Sequence, residues 1–139
     1  MARKRSIQRG GTRGTVFKPV AQARLEDAEV LLRKKRFGGA VYLAGYAVEC
    51  LLKWAVTEKR QCIYLPAELE THDLGILLAE AGLKRSMDRN QRMQILFSGL
   101  AESWGPDLRY LAKTPPQNDA TTLYEQIVRV YDWIGEQNL

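Results

Sequence analysis

Four side chains in the middle of the chain are spaced for joint chemistry. Tyr42, Tyr46, Glu49 and Lys53 fall at i, i+4, i+7 and i+11, which puts them on one face of a helix. Their neighbours from Ala40 to Lys53 are almost all Ala, Val, Leu or Cys. A helix apolar on nearly every side belongs in the centre of a bundle, and a polar stripe on it must be satisfied there or line a groove. His72, the one histidine, follows in a His-Asp-Leu sequence with Asp73, and Arg109 with Tyr110 lies further on.

These residue types suit acid–base chemistry at a phosphate ester without a metal. Such a step needs a base, an acid for the leaving oxygen and a cation for the phosphate. His72 fits the acid or base, and Arg109 can grip a phosphate with two donors. Tyr46, Glu49, Lys53, Asp73 and Tyr110 would complete a polar cluster. A structural reading stands beside this one. Glu49 four residues before Lys53 is the favoured orientation for an intrahelical ion pair, and His72 can simply orient a loop. Arg109 would then pair with Glu49 or Asp73.

The elements that must position them read as helices throughout. A first helix is expected from Pro19, with Ala21, Leu25, Ala28 and Leu32 inward. Phe37-Gly38-Gly39 should break it, and the central helix should run on to about Glu58. Gly45 inside that helix suggests a close helix crossing. Thr71 is the expected cap of a short helix ended by Gly82, and Ser86 of a fourth helix with Met93, Leu96, Phe97 and Leu100 inward. Pro115-Pro116 closes a loop, and Asn118 should cap a last helix carrying Ala120, Leu123, Ile127, Val130 and Ile134. No run alternates as a strand does. The expected fold is all-α, an antiparallel bundle of four or five helices over residues 19–139.

The formal charge of +5 sits at one end. Residues 1–18 hold Arg3, Lys4, Arg5, Arg9, Arg13 and Lys18 with no acid; removing those six from 21 basic residues leaves 15 against 16 acids. This basic segment has too few apolar side chains to order itself and is either a solvated terminus or a nucleic-acid arm. Outside it, no aromatic row with interleaved cations is visible. Cys50 and Cys62 make neither a disulfide framework nor a zinc set. No metal or cofactor motif is present. The apolar run from Gly38 to Val56 nearly has membrane length, but Glu49 and Lys53 within it favour a buried helix, and the expected location is the cytoplasm.

The segments Arg24-Leu25-Glu26-Asp27-Ala28, Ala40 to Lys53, His72-Asp73-Leu74 and Trp104 to Tyr110 together resemble HEPN domains, named for higher eukaryotes and prokaryotes nucleotide-binding. The likeness runs from about Val20 to Ile134. It implies a HEPN-like helical bundle that forms a homodimer and acts within a toxin–antitoxin or defence-like system on RNA or nucleotides. A nucleotidyltransferase antitoxin is the implied protein partner. Active members cut RNA with an Arg-x(4–6)-His motif near the last helix. Here positions 65 to 67 before His72 are Leu, Pro and Ala, and no histidine follows Arg109. The motif is absent, so the reaction does not transfer with the fold. The alternative is a catalytically inert dimeric module that pairs with a nucleotidyltransferase or a larger effector.

Overall fold

A computed structural model describes residues 11–105 and 117–137. Six α-helices and one short 3₁₀ turn (Ala67–Leu69) make up the described residues, with no strand among them. The helices are α1 (Gly14–Arg33), α2 (Phe37–Arg60), α3 (Leu74–Glu80), α4 (Lys84–Asp88), α5 (Gln91–Ser103) and α6 (Gln117–Gly135).

Helix α2 is the axis of the bundle. Ala40, Ala44, Ala47, Val48, Leu52, Ala55 and Val56 are wholly buried along it. Its broadest contact is with α1, then α6, with α3 against its C-terminal part. The α1–α2 pair approaches closely because small residues meet there. Ala21 and Ala28 are fully buried, and a Cβ on Gly14 would lie 2.3 Å from the Thr57 hydroxyl. Helix α6 contributes Ala120, Ile127, Val130 and Ile134 to the core, which repeat at helical spacing. By length and composition alone α2 could span a membrane; two-thirds of that window (67%) is buried inside the protein.

Three helices end alike. At the ends of α1, α2 and α3 the chain turns through Lys35 (φ 61°), Gln61 (φ 53°) and Gly82 (φ 76°). In each case two successive amides bond back to the last turn, as in Arg36 N–H to Leu31 O at 2.8 Å and Leu83 N–H to Leu78 O at 3.1 Å. This is the Schellman closure, which satisfies otherwise orphaned carbonyls.

Several boundaries differ from the sequence expectation. Helix α1 starts at Gly14, so Pro19 is its sixth residue and residues 14–18 belong to the helix, not to a tail. The cause is tertiary. Gly14 N–H bonds to Ile63 O at 2.8 Å, Leu65 N–H to Thr12 O at 2.9 Å, and Phe17 is buried. Phe37-Gly38-Gly39 forms the first turn of α2, and the break falls at Lys34–Arg36, where Lys35 is left-handed. The caps are Asp73 and Asn90, whose side chains accept from Ile76 N–H and Met93 N–H. Thr71 instead accepts from Asp73 N–H at 3.1 Å, and Ser86 lies inside α4. Gln117 opens α6, so Asn118 is already in its first turn.

Candidate functional site

Glu49 is the focus of the polar residues. It comes from the middle of α2 and is 1% exposed. Lys53, one turn on, places Nζ 3.0 Å from Oε2. His72, from the stretch before α3, places Nδ1 2.8 Å from Oε1. Both carboxylate oxygens therefore have a partner, as a buried charge requires. An ionised carboxylate only accepts; with Glu49 in that form, Nδ1 of His72 is the donor and the lone pair is left on Nε2. The His72 side chain is 53% exposed, so its ring joins the buried pair to solvent.

This arrangement has chemical capacity. A carboxylate behind one imidazole nitrogen fixes the tautomer and stabilises the imidazolium that forms when the other nitrogen takes a proton. Lys53 lies behind Glu49 and holds the carboxylate, itself only 11% exposed along its side chain. Asp73 is not part of the cluster: its carboxylate caps α3. Arg109 and Tyr110 lie outside the described residues, as do Arg3, Lys4, Arg5 and Arg9 of the basic segment.

The stripe continues toward the start of α2 as an aromatic stack. Tyr46 and Tyr42 stand parallel with centroids 6.5 Å apart, and Tyr42 stacks on Trp104 at 6.0 Å. The Trp104 indole N–H donates to Tyr42 O at 3.1 Å. Its ring rests on Gly45, where a Cβ would come within 2.1 Å of Nε1. The glycine thus admits an indole from the end of α5, where the sequence suggested a helix crossing. Burial pushes the Tyr46 hydroxyl up to about 12, aided by the neighbouring Cys50. Burial likewise pushes the Cys50 thiol up to about 11, with the hydrogen bond to Tyr46, and then Lys53 and Arg24, offsetting part of the rise. Both groups are neutral over the physiological range, so neither acts as a nucleophile there.

The fold also makes two pairs that the sequence hides. The Arg13 guanidinium sits 5.5 Å from the Tyr64 ring centroid, and Lys18 Nζ 4.3 Å from that of Trp54. The partners are far apart in sequence and meet because residues 12–14 run antiparallel to 63–65 and α1 packs along α2. Among the described residues no three His, Cys, Asp or Glu side chains converge as a metal set. No family model, curated protein or solved structure matches the chain.

Proposed function

We propose that this chain is a HEPN-like domain that acts on RNA without a metal, with His72 as the proton-transfer residue and Glu49 as the carboxylate that orients it. One observation carries the reading: a half-exposed histidine bonded through Nδ1 to a buried carboxylate. A purely solvated histidine needs no such partner, and a purely packed one would not present its ring to solvent. Lys53 holds Glu49 in place, and Arg109 is proposed as the phosphate grip. In this reading the protein is a cytoplasmic homodimer of a toxin–antitoxin or defence-like system, with a nucleotidyltransferase as antitoxin.

The dimer reading has support on the outer face of α5 and α6. A groove of about 300 Å³ between them is lined by Met93, Leu96 and Trp133, with Arg92, Arg129, Asp132 and Glu136 around it. Both signs of charge about an apolar centre suit a patch that meets its own copy. Phe97, on the same helix, faces the core and is buried, as its spacing predicts.

The test is incubation of wild type, His72→Ala and Arg109→Ala with RNA in the presence of a chelator. Wild type should leave 2′,3′-cyclic phosphate ends and His72→Ala should not. Equal cutting by all three, or none by wild type, removes the catalytic reading. The full pairing of Glu49 favours a second reading, the inert interaction module, in which the ionic cluster only pins the loop before α3 to α2. Under that reading His72→Ala lowers stability and changes no reaction.

A further inference from the structure

We propose that the ring of Tyr46 is a stacking site for one unpaired RNA base, the base that flanks the phosphodiester on which His72 acts. The proposal rests on the reading of the chain as an RNA-directed protein and adds what holds the strand beside the histidine.

Trp104, Tyr42 and Tyr46 form a row of three rings. Their centroids lie 6.0 Å and 6.5 Å apart, and neighbouring planes are 21° and 9° from parallel. The row is fixed at one end. Trp104 is buried against Gly45, and its indole N–H is held by Tyr42 O. Tyr42 is engaged by both of its neighbours. Tyr46 is the outer ring. It is part-buried, and among the described residues no further Phe, Tyr or Trp stacks on it. Its hydroxyl is turned to the Cys50 thiol. A phenolic hydroxyl lies in the plane of its ring, so that contact occupies the ring edge and leaves the face.

The open end of the row adjoins the candidate chemistry. Tyr42, Tyr46 and Glu49 share one face of α2, and Glu49 follows Tyr46 by three residues, about 4.5 Å along the helix axis. Glu49 is buried, and the ring standing over it is that of His72, half-exposed and bonded through Nδ1. The next place in the row therefore falls beside an imidazole whose Nε2 is not engaged by the carboxylate. Unpaired bases stack on such aromatic faces, which strengthens binding about 5- to 150-fold per base. A base on Tyr46 brings its own ribose, with the 2′-hydroxyl and the attached phosphate, toward Nε2. Packing accounts for Trp104 and Tyr42, which together close over Gly45. It does not account for a third ring aligned within 9° of the second and left part-exposed.

The test compares adenosine 3′-monophosphate, which carries a base, with ribose 5-phosphate, which carries none. Both are titrated into the full wild-type chain and followed by NMR. His72 is the one histidine, so its ring-carbon protons report binding beside it. The nucleotide should bind at least about fivefold more tightly, the lower bound for one stacked base. A nuclear Overhauser effect between the adenine protons and the Tyr46 ring should accompany it. Tyr46→Leu should remove the advantage of the base and leave ribose phosphate binding as it was. Tyr46→Phe, which keeps the face and loses the hydroxyl, should retain the advantage. Circular dichroism at unchanged melting temperature confirms that each variant is folded. Equal wild-type affinity for the two ligands overturns the site, as does a bound nucleotide with no Overhauser contact to Tyr46; neither result needs a variant. An undiminished advantage in folded Tyr46→Leu overturns it as well. The two readings fail separately. RNA cleavage that depends on His72, with no advantage of the base, removes the stacking site alone. A Tyr46-dependent advantage in a wild type that does not cleave removes the chemistry alone.

Discussion

His72 Nδ1 stands 2.8 Å from Oε1 of Glu49, a carboxylate whose other oxygen is held by Lys53 at 3.0 Å. The three side chains come from two elements and share one buried charge, so removing any one changes the other two. Lys53→Met strands that charge and should destabilise the protein by about 3–5 kcal/mol in urea unfolding. Glu49→Leu with Lys53→Met removes the pair together and should return stability to within about 1–2 kcal/mol of wild type. A double variant as unstable as the single one would show that packing, and not charge, sets the cost.

Alkaline stability should fall through two overlapping windows. Cys50 and Tyr46 both have folded pKa values above their ordinary ones, at about 11 and about 12. A raised folded pKa favours the folded state in full below the unfolded value, and the gain is lost as pH rises through the folded value. The loss should therefore begin near pH 9 with Cys50 and continue from pH 10 to 12 with Tyr46. Urea midpoints across pH 8 to 11 should decline less steeply in Cys50→Ala.

Gly45→Ala should be costly out of proportion to one methyl. The new Cβ would lie 2.1 Å from the Trp104 indole, which must move and surrender its bond to Tyr42 O. Overpacking with a lost hydrogen bond predicts a loss of about 2–4 kcal/mol. Tryptophan emission should shift to the red as the ring gains solvent.

The two non-glycine left-handed residues offer the opposite sign. Lys35→Gly and Gln61→Gly relieve φ 61° and φ 53° without touching the core. Each should stabilise by about 0.5–1 kcal/mol, the left-handed penalty less the added entropy of the unfolded chain. Thermal unfolding of each single variant checks this.

Asp73 separates structural from chemical roles next to His72. As the cap of α3 it should tolerate Asn, while Asp73→Ala should cost about 1 kcal/mol. RNA cleavage by Asp73→Asn at the wild-type rate would agree with its place outside the cluster.

Much of this fold was legible because apolar spacing reports burial directly. The positions Ala120, Ile127, Val130 and Ile134 were readable as one face of α6, and all are buried. The Glu49–Lys53 pair was readable too, since a charge on an apolar helix must find partners, but the sequence offered Arg109 as the second partner of Glu49 and placed Asp73 in the cluster, whereas His72 fills that place and Asp73 caps α3. What escaped were features set by distant contacts. Helix α1 reaches back to Gly14 because its backbone pairs with Ile63 and Leu65, and local propensity at Pro19 holds no trace of that. Gly45 signalled a close approach but not that the visitor was Trp104. The Arg13–Tyr64 and Lys18–Trp54 pairs needed the α1–α2 register before they could be seen.

The short antiparallel seam between Thr12–Gly14 and Ile63–Leu65 ties two pieces of chain that would otherwise fray independently. Cooperative opening makes them one unit: the amides of Gly14 and Leu65, both donors across the seam, should exchange with deuterium at matching protection. Leu65 lies upstream of His72 on the connection between α2 and α3, and Gly14 opens α1. A protease cut after Arg13 would release Thr12, the acceptor of the Leu65 amide, and slacken the loop that carries the histidine, well before the helices themselves unfold.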